Sequence, residues 1–180
     1  EYVDMSRTTR SFTSVGAWTS AERTIGGDGN PERIATALVT ASVFETLGAR
    51  AAVGRVVRPE EDVPGGPNII VLSDALWRRR YGADPTIVGK RIDVDGVSRT
   101  IVGVLPAGVR IRSADAFTPM GLDLNHLPGR GAHFLRVIGR LRPSVTIDQA
   151  VAELVAFSRR SSQENAVNYG KGGFLASARP

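Results

Sequence analysis

The chain has 180 residues, of which 42% are hydrophobic and 6% aromatic, and it contains no cysteine. This length and composition predict one folded domain with an aliphatic core, and the lack of cysteine excludes disulfides, thiolate metal sites and cysteine nucleophiles. The formal net charge of +5 leaves an anionic partner open, either nucleic acid or a lipid headgroup, although most of the arginines are scattered along the sequence.

The sequence offers no candidate membrane span, because no run approaches ~18 consecutive apolar residues. It also has no signal peptide, and its first residue is Glu1 rather than an initiator methionine. We therefore expect the chain to be a piece of a longer protein whose flanking segments carry any membrane anchor.

The first 68 residues predict two short helices and a pair of strands. Helical spacing is shared by Tyr2, Met5, Thr9 and Phe12. Residues 14–40 predict a strand, a Gly-rich turn and a returning strand. One or two helical turns follow, with Ser42 as the predicted N-cap and Gly48 as the left-handed C-cap. The Pro- and Gly-rich stretch at 51–68 predicts an extended segment and then a loop.

A buried strand followed at once by a helix comes next. The continuous apolar run IIVLS predicts the strand at 69–73. The following DALWRRRYG predicts a helix that Ser73 or Asp74 caps and Gly82 closes. A strand followed directly by a helix is half of a βαβ unit.

The clearest local signal is the hairpin predicted for KRIDVDGVSRTIVGVL, residues 90–105. Asp95 and Gly96 suit a two-residue type I′ turn, which needs a positive φ at both positions. Such a turn places Ile92 opposite Arg99, so one face of the hairpin mixes apolar and charged side chains.

The last part of the chain predicts two strands and an amphipathic helix. The strands are predicted at 116–119 and 134–141. Thr146 is the predicted N-cap of the helix, and its buried face is predicted to contain Ala150, Leu154 and Phe157. The polar, Gly-rich tail at 161–180 predicts a loop or a return toward an anchor. Together the elements predict the α+β class, in one domain.

No pattern for phosphate or metal binding is complete. A P-loop needs G-x-x-x-x-G-K-[ST] between a strand and a helix, whereas here the glycines are too far apart and Lys90 is followed by Arg91. We therefore predict that Lys90 is not a phosphate ligand. The two histidines, His126 and His133, lack the spacing of a helical metal pair.

Patterns for catalysis and nucleic-acid binding are equally weak. No serine lies in G-x-S-x-G or S-x-x-K, and the adjacent carboxylates at 60–62 fit a solvated loop better than an acid/base pair. Trp77 and Tyr81 interleave with arginines, but their spacing puts both on one helix face, where core packing explains them. We assign no catalytic, cofactor-binding or metal-binding residue, and we predict no cofactor, no nucleic-acid partner and no enzymatic activity.

Four motifs occur in a distinctive order: VLSDALWRRRYG, DPTIVGK, VDG and VGVLP. With ALVTASVFETLGAR before them and HFLRVIGRLRPSVTIDQAVAEL after them, they resemble the MacB-like periplasmic core domain of ABC transporter permeases of the MacB/FtsX type. The resemblance covers roughly residues 1–160. The family often carries an aromatic residue where Arg99 stands, so we expect a more open hairpin face here.

The resemblance implies an extracytoplasmic (periplasmic) domain at the outer face of the inner, cytoplasmic membrane, which binds no nucleotide. It implies a porter-like lobe of strand–helix units from residues 1–88 and 125–180, and an inserted, mostly β lobe from 89–124. The implied partners are the transmembrane helices of the permease and a cytoplasmic ATPase, fused or separate. A second copy of the domain and an extracytoplasmic adaptor or substrate are further implied partners.

The function implied by the resemblance is mechanotransmission, in which ATP-driven movement below the membrane displaces paired outer domains that act on a substrate or adaptor. The alternative is a free-standing extracytoplasmic ligand-binding module with a cleft between its lobes. An enzyme is a third class, which would require a cluster of buried titratable groups. The isolated domain is expected to be monomeric or weakly dimeric, since membrane anchoring strengthens a weak interface.

Overall fold

In a computed structural model the chain has the predicted α+β fold, with residues 1–27, 30–123, 126 and 134–165 described. The helices are α1 (Tyr2–Thr8), α2 (Ser42–Leu47), α3 (Asp74–Tyr81) and α4 (Ile147–Glu164), with a 3₁₀ turn at Pro59–Glu61. The strands are β1 (Phe12–Ile25), β2 (Glu32–Val39), β3 (Val53–Gly54), β4 (Ile69–Leu72), β5 (Arg91–Val94), β6 (Val97–Val104), β7 (Ala116–Pro119) and β8 (Arg136–Leu141). His133 and most of the predicted tail, from residue 166 on, lie outside the described residues.

Six strands close into a ring of hydrogen-bonded neighbours, in the order β1, β2, β7, β4, β6, β5 and back to β1. The pairs β2–β7 and β4–β6 are parallel, and the other four pairs are antiparallel. The β5–β1 pairing is short, with the single residue pair Ile25–Val94. There the Asp95 carboxylate accepts the backbone N–H of Thr24 at 2.7 Å and a guanidinium N–H of Arg23 at 3.0 Å. The hairpin turn therefore reinforces the closure of the ring.

Strand β1 belongs to two parts of the structure. Its residues 12–18 pair with β8, and its residues 18–25 pair with β2 in the ring. Within the described part of the chain, β8 pairs with β1 alone, so it branches from the ring. A displacement of the start of β1 therefore acts directly on a strand of the ring.

Alternate residues of β4 face two separate cores, because successive side chains of a strand point to opposite faces. Ile70 and Leu72 join a buried cluster that includes residues of α3. Ile69 and Val71 join a second cluster, to which α2 contributes Phe44. All four residues of β4 are buried, as their continuous apolar run predicts.

The predicted hairpin is confirmed in both register and turn. Ile92 pairs with Arg99, and the φ angles of Asp95 and Gly96 are 52° and 79°. The strand at Ala116–Pro119 and the buried face of α4 also match the prediction.

The helix ends confirm most of the predicted caps and correct one. The Ser73 hydroxyl accepts the backbone N–H of Leu76 at 3.1 Å, and Gly48 ends α2 in the left-handed region. Ser42, the predicted N-cap of α2, is instead its first helical residue. The N-cap is Ala41, whose own backbone angles are already helical, and the Ser42 hydroxyl lies 2.8 Å from that of Thr40.

Replacing Thr146 with alanine is expected to lower the free energy of unfolding by about 1 kcal/mol, because it removes an N-cap. The Thr146 hydroxyl accepts the N–H of Gln149 at 3.3 Å, and the Gln149 side chain accepts the N–H of Thr146 at 2.9 Å. Urea denaturation measures the free energy of unfolding of Thr146→Ala and of Thr146→Ser, which keeps the hydroxyl. Equal losses for the two variants would contradict the capping role.

The predicted lobe boundaries, 1–88 with 125–180 and 89–124, stay a prediction. The strand pairings add one constraint. Strands β5, β6 and β7, which lie within 89–124, hydrogen-bond to β1, β2 and β4, which lie outside it. A β lobe built on the ring therefore draws strands from both ranges.

Candidate functional site

Arg10 and Ser11, two of the three residues between α1 and β1, are held by residues from the other end of the described chain. The Glu153 carboxylate, on α4, accepts the backbone N–H of Arg10 at 2.7 Å and that of Ser11 at 2.9 Å. Arg142 donates its Nε–H to the Arg10 carbonyl at 2.7 Å and its backbone N–H to the Ser11 carbonyl at 2.9 Å. These four residues, Arg10, Ser11, Arg142 and Glu153, are termed the junction clamp. All four bonds engage backbone atoms of the junction, so the clamp fixes the path of the chain from α1 into β1.

The environment of Glu153 favours its charged form. Burial alone would raise the pKa of this carboxyl group, but hydrogen bonds from Ser11 and from the Arg10 and Ser11 N–H groups outweigh burial. The pKa of Glu153 therefore lies below its ordinary value. The clamp is made with an ionised carboxylate at neutral pH.

Replacing Glu153 with glutamine is expected to lower the free energy of unfolding by about 1–2 kcal/mol at pH 7, because one charged acceptor of two N–H groups is lost. The loss should shrink as the pH falls. A lowered folded-state pKa means that the stabilisation is present above the unfolded-state pKa and is lost as the pH drops through the folded-state pKa.

Urea denaturation between pH 7 and pH 3 tests this dependence. Glu164→Gln, the same exchange on an exposed residue of α4, is the matched control and should show no such trend. A gap between the wild-type chain and Glu153→Gln that stays constant over this range would contradict the role of the carboxylate.

Helix α1 borders a groove of about 620 Å³, which α2 and the segment around the 3₁₀ turn complete. Its lining is largely apolar and includes Phe44 and Val57. Three hydroxyl groups meet there: the Tyr2 hydroxyl lies 3.3 Å from that of Ser42, which lies 2.8 Å from that of Thr40. A cavity of this size with an apolar wall and a few convergent polar groups suits a small ligand.

The arginine run of α3 is engaged in ion pairs within the fold. Arg78 pairs with Asp74 at 2.9 Å, Arg79 with Glu32 at 2.7 Å and Asp115 at 3.2 Å, and Arg80 with Glu32 at 3.3 Å. Trp77 and Tyr81 pack against the core cluster that contains α3, as predicted. These contacts account for the run without nucleic acid, and the absence of such a partner stays a prediction.

The other residues considered in the sequence lie apart from one another. His126 contacts Asp123 at 2.8 Å, and Lys90 contacts Asp84 at 2.5 Å. Within the described ranges, no group of three or more His, Asp or Glu residues is placed to hold a metal ion. Asp62, one of the adjacent carboxylates at 60–62, lines the groove, whereas neither His126 nor Lys90 belongs to the groove or to the junction clamp.

The junction clamp and the groove were not predicted from the sequence. Glu153 lies on an amphipathic helix and Arg142 precedes it, more than a hundred residues from the junction that they hold. No local spacing links such distant positions. The backbone atoms that they contact occur in every residue, so they leave no signal in the sequence.

Comparison with known families identifies the chain. Residues 1–157 match the MacB-like periplasmic core domain, and the chain belongs to that family. It is therefore a periplasmic core domain of the kind found in MacB-like ABC transporter permeases. A comparison with curated proteins gives no match.

Three solved structures share this fold. The extracellular domain of the noncanonic ABC-type transporter YknZ from Gram-positive bacteria is 13% identical, with a TM-score of 0.69 over 91% of this chain and 82% of that one. The periplasmic region of MacB from Actinobacillus actinomycetemcomitans is 16% identical, with a TM-score of 0.68 over 98% and 76%. A domain described as part of a permease from Porphyromonas gingivalis is 20% identical, with a TM-score of 0.62 over 88% and 75%. At these identities the likeness shows the fold alone.

Over the part of the chain that the structure describes, no helix has both the length and the apolar character needed to cross a membrane.

Proposed function

We propose that the chain is a non-catalytic coupling domain, which converts ATP-driven movement of a permease into displacement of its extracytoplasmic surface. Strand β1 is the observation that supports this proposal. One strand pairs with β8 over its first half and forms part of the ring over its second half. A force applied near α1 therefore reaches the ring along one continuous strand that is hydrogen-bonded over its whole length, rather than through a flexible loop.

The junction clamp makes the same connection stiff at its entrance. Without it, Arg10 and Ser11 would be two linker residues between α1 and β1, free to change their backbone angles. With it, their N–H and C=O groups are bonded to α4 and to Arg142. A movement of α1 is then passed to β1 instead of being absorbed at the junction.

The proposed partners follow from this role. They are the transmembrane helices of the permease and a cytoplasmic ATPase, fused or separate, with a second copy of the domain beside this one. The displaced surface would act on an extracytoplasmic adaptor or substrate, at the outer face of the cytoplasmic membrane. Membership of a family of transporter periplasmic domains supports this arrangement.

Distance measurements in the assembled transporter test the coupling role. The chain has no cysteine, so Ser6→Cys on α1 and Ser98→Cys on the hairpin allow specific spin labelling within it. ATP binding should change the distance between Ser98 labels in two copies. Within one copy, measured after dilution with unlabelled protein, the distance between positions 6 and 98 should stay constant. A changed distance within one copy, with an unchanged distance between copies, would contradict the proposal.

A clamp variant makes the test specific. Arg142→Gln removes the bond to the Arg10 carbonyl and should leave ATP hydrolysis in place while abolishing the change between copies. Arg159→Gln makes the same exchange on an exposed residue of α4 outside the clamp and should behave like the wild-type transporter. Equal behaviour of the two variants would mean that the clamp does not transmit movement.

The groove beside α1 favours a second candidate, a ligand-binding module for a small apolar solute with one polar group. Its volume and its mixed lining support this alternative. A thermal-shift screen of such solutes tests it, since a ligand at ~100 times its Kd adds about 2.7 kcal/mol of stability. Val3→Trp fills the groove from α1. A ligand-dependent rise in Tm that this variant abolishes would support the ligand-binding module. The absence of any shift across the screen would exclude it.

A further inference from the structure

A second cavity, of about 360 Å³, lies at the C-terminal end of α3. The loop after α3, the start of β5 and the end of β1 complete it, and we term it the α3 cavity. Its lining includes Arg80, Tyr81, Lys90 and Arg91, and Asp84 is the carboxylate among the lining residues that the structure describes. The cavity is therefore predominantly basic.

One cation of the α3 cavity is neutralised within it. Lys90 pairs with Asp84 at 2.5 Å. Hydrogen bonds from Lys90 and Thr86 lower the pKa of Asp84 to about 2, so the carboxylate stays ionised at neutral pH. This pair contributes no net charge. It is compatible with the sequence-based prediction that Lys90 is not a phosphate ligand.

Arg91 leaves an excess of positive charge at the cavity. Its guanidinium is exposed and has no ion pair or hydrogen bond to another residue in the described part of the chain. Arg80 shares the Glu32 carboxylate with Arg79, which also pairs with Asp115, so these two arginines are balanced by two carboxylates. An anion entering the cavity would meet a lining with net positive charge.

Two buried hydrogen-bond donors of the lining lack an acceptor. The Arg80 side chain is only 10% exposed, and its Nη1 donates to the Asn30 carbonyl at 3.0 Å. Its Nη2 has no hydrogen-bond partner among the described residues, and the Tyr81 hydroxyl has no acceptor there. Burial raises the pKa of Tyr81, whereas the charge of Arg80 and a hydrogen bond from its guanidinium to the Tyr81 oxygen oppose that rise, so the hydroxyl keeps its proton at neutral pH and is available as a donor. Buried polar groups in folded proteins are nearly always hydrogen-bonded, so these two groups can donate to an acceptor that enters the cavity.

We propose that the α3 cavity binds one phosphate-class oxyanion, which Arg91 contacts at the mouth and which accepts hydrogen bonds from Arg80 Nη2 and the Tyr81 hydroxyl. Both inner groups are covered by protein atoms, so binding requires a rotation of each side chain. A phosphate suits the site because it carries three acceptor oxygens and about −1.5 to −2 charges at neutral pH. These oxygens match the three donors, and the negative charge complements the unpaired Arg91 guanidinium.

The site differs from a P-loop in its physical basis. A P-loop cradles phosphate with successive backbone N–H groups at the start of a helix. The α3 cavity lies at the end of a helix and uses side chains, so the sequence patterns for P-loops do not reveal it. The donors are separated in sequence by the loop that carries Lys90 and Asp84.

Titration calorimetry of the 180-residue chain with inorganic phosphate, at low ionic strength, tests the proposal directly. We expect a single site with a Kd of roughly 0.1–1 mM. Arg91→Gln should weaken binding about tenfold, because it removes a charge-assisted hydrogen bond from an exposed residue that the fold does not need. Arg159→Gln, with the same loss of charge on α4, should change the Kd by less than about twofold.

Tyr81→Phe separates binding from folding. The variant removes a buried hydroxyl without a partner, so its Tm without phosphate should not fall below that of the wild-type chain. The rise in Tm on adding phosphate should nevertheless be smaller than in the wild-type chain. A variant that loses Tm without phosphate and keeps the full phosphate-dependent rise would overturn the role of the hydroxyl.

Vesicles distinguish a free phosphate from a lipid headgroup. Co-sedimentation with phosphatidylglycerol vesicles that Arg91→Gln abolishes, without calorimetric binding of inorganic phosphate, would support the site and assign its oxyanion to a lipid. Calorimetric binding without co-sedimentation would support it for a free phosphate. Absence of both, or equal losses in Arg91→Gln and Arg159→Gln, would overturn the proposal.

Discussion

Replacing Phe117 with alanine should lower the free energy of unfolding by about 3–5 kcal/mol, the cost of removing a large buried aromatic side chain and leaving a cavity. Phe117 lies on β7 and is fully buried. Its ring meets that of Phe44 edge-to-face, with centroids 6.2 Å apart. The pair joins α2 to the ring, so its loss weakens the contact between two layers of the fold. Guanidinium denaturation followed by circular dichroism measures the change.

Two further variants make the Phe117 experiment specific. Phe117→Leu keeps most of the volume and should cost less than about 1.5 kcal/mol. Val137→Ala, on an exposed part of β8, should stay within about 0.5 kcal/mol of the wild-type chain. If Phe117→Ala lowered the free energy of unfolding as little as Val137→Ala, Phe117 would not support the core in the way that its burial indicates.

Replacing Gly103 with alanine should lower the free energy of unfolding by about 3 kcal/mol or more, because the backbones of β3 and β6 approach too closely for a side chain. Gly103 pairs with Gly54 across these strands. A Cβ atom on Gly103 would clash with the backbone of Arg55, and one on Gly54 would clash with the Val102 carbonyl. Backbone atoms cannot rotate away as a flexible side chain would, so the strands would have to separate.

Gly108→Ala provides the matched control for Gly103→Ala. No atom lies within 4 Å of the position that a Cβ would occupy on Gly108, so this exchange should change stability by less than about 0.5 kcal/mol. Denaturation midpoints of the two variants can be compared directly. A similar midpoint for both would show that β3 can move away from β6 at little cost.

Local structure could be predicted from the sequence wherever a few neighbouring residues decide it. Asp95 and Gly96 fix the hairpin turn by their tolerance of positive φ, and Thr146 with Gln149 fixes the start of α4. Ser42 shows where local reasoning fails. A serine before an apolar run suits an N-cap, but the helical backbone of Ala41 moves the helix start back by one residue.

The ring itself could not be predicted in this way. Alternating apolar residues indicate that a segment is a strand, but they do not specify which strand lies beside it. The parallel pairs β2–β7 and β4–β6 join segments far apart in the sequence. The predicted elements indicated the α+β class, but nothing in the sequence specified these pairings.

The candidate sites were hidden for a related reason. Glu153 recognises backbone N–H groups, and the donors of the α3 cavity become significant only because burial removes water from them. Neither fact is visible in residue type or spacing. The positive charge of Arg80 and Arg91 was a partial signal of the α3 cavity. Charge alone did not show that Arg80 is paired with Glu32 and that Arg91 has no partner among the described residues.

The pairing of β1 with β8 has a consequence for the order of folding during synthesis. Residues 12–18 leave the ribosome more than a hundred residues ahead of their partners at 136–141. Until these partners emerge, the first half of β1 exposes unpaired backbone groups, while its second half can already form a hairpin with β2. Contacts this distant in sequence slow folding, and unpaired strand edges promote aggregation of a nascent chain. A truncated product that ends before β8 is therefore expected to need a chaperone, whereas the finished chain closes its own first strand.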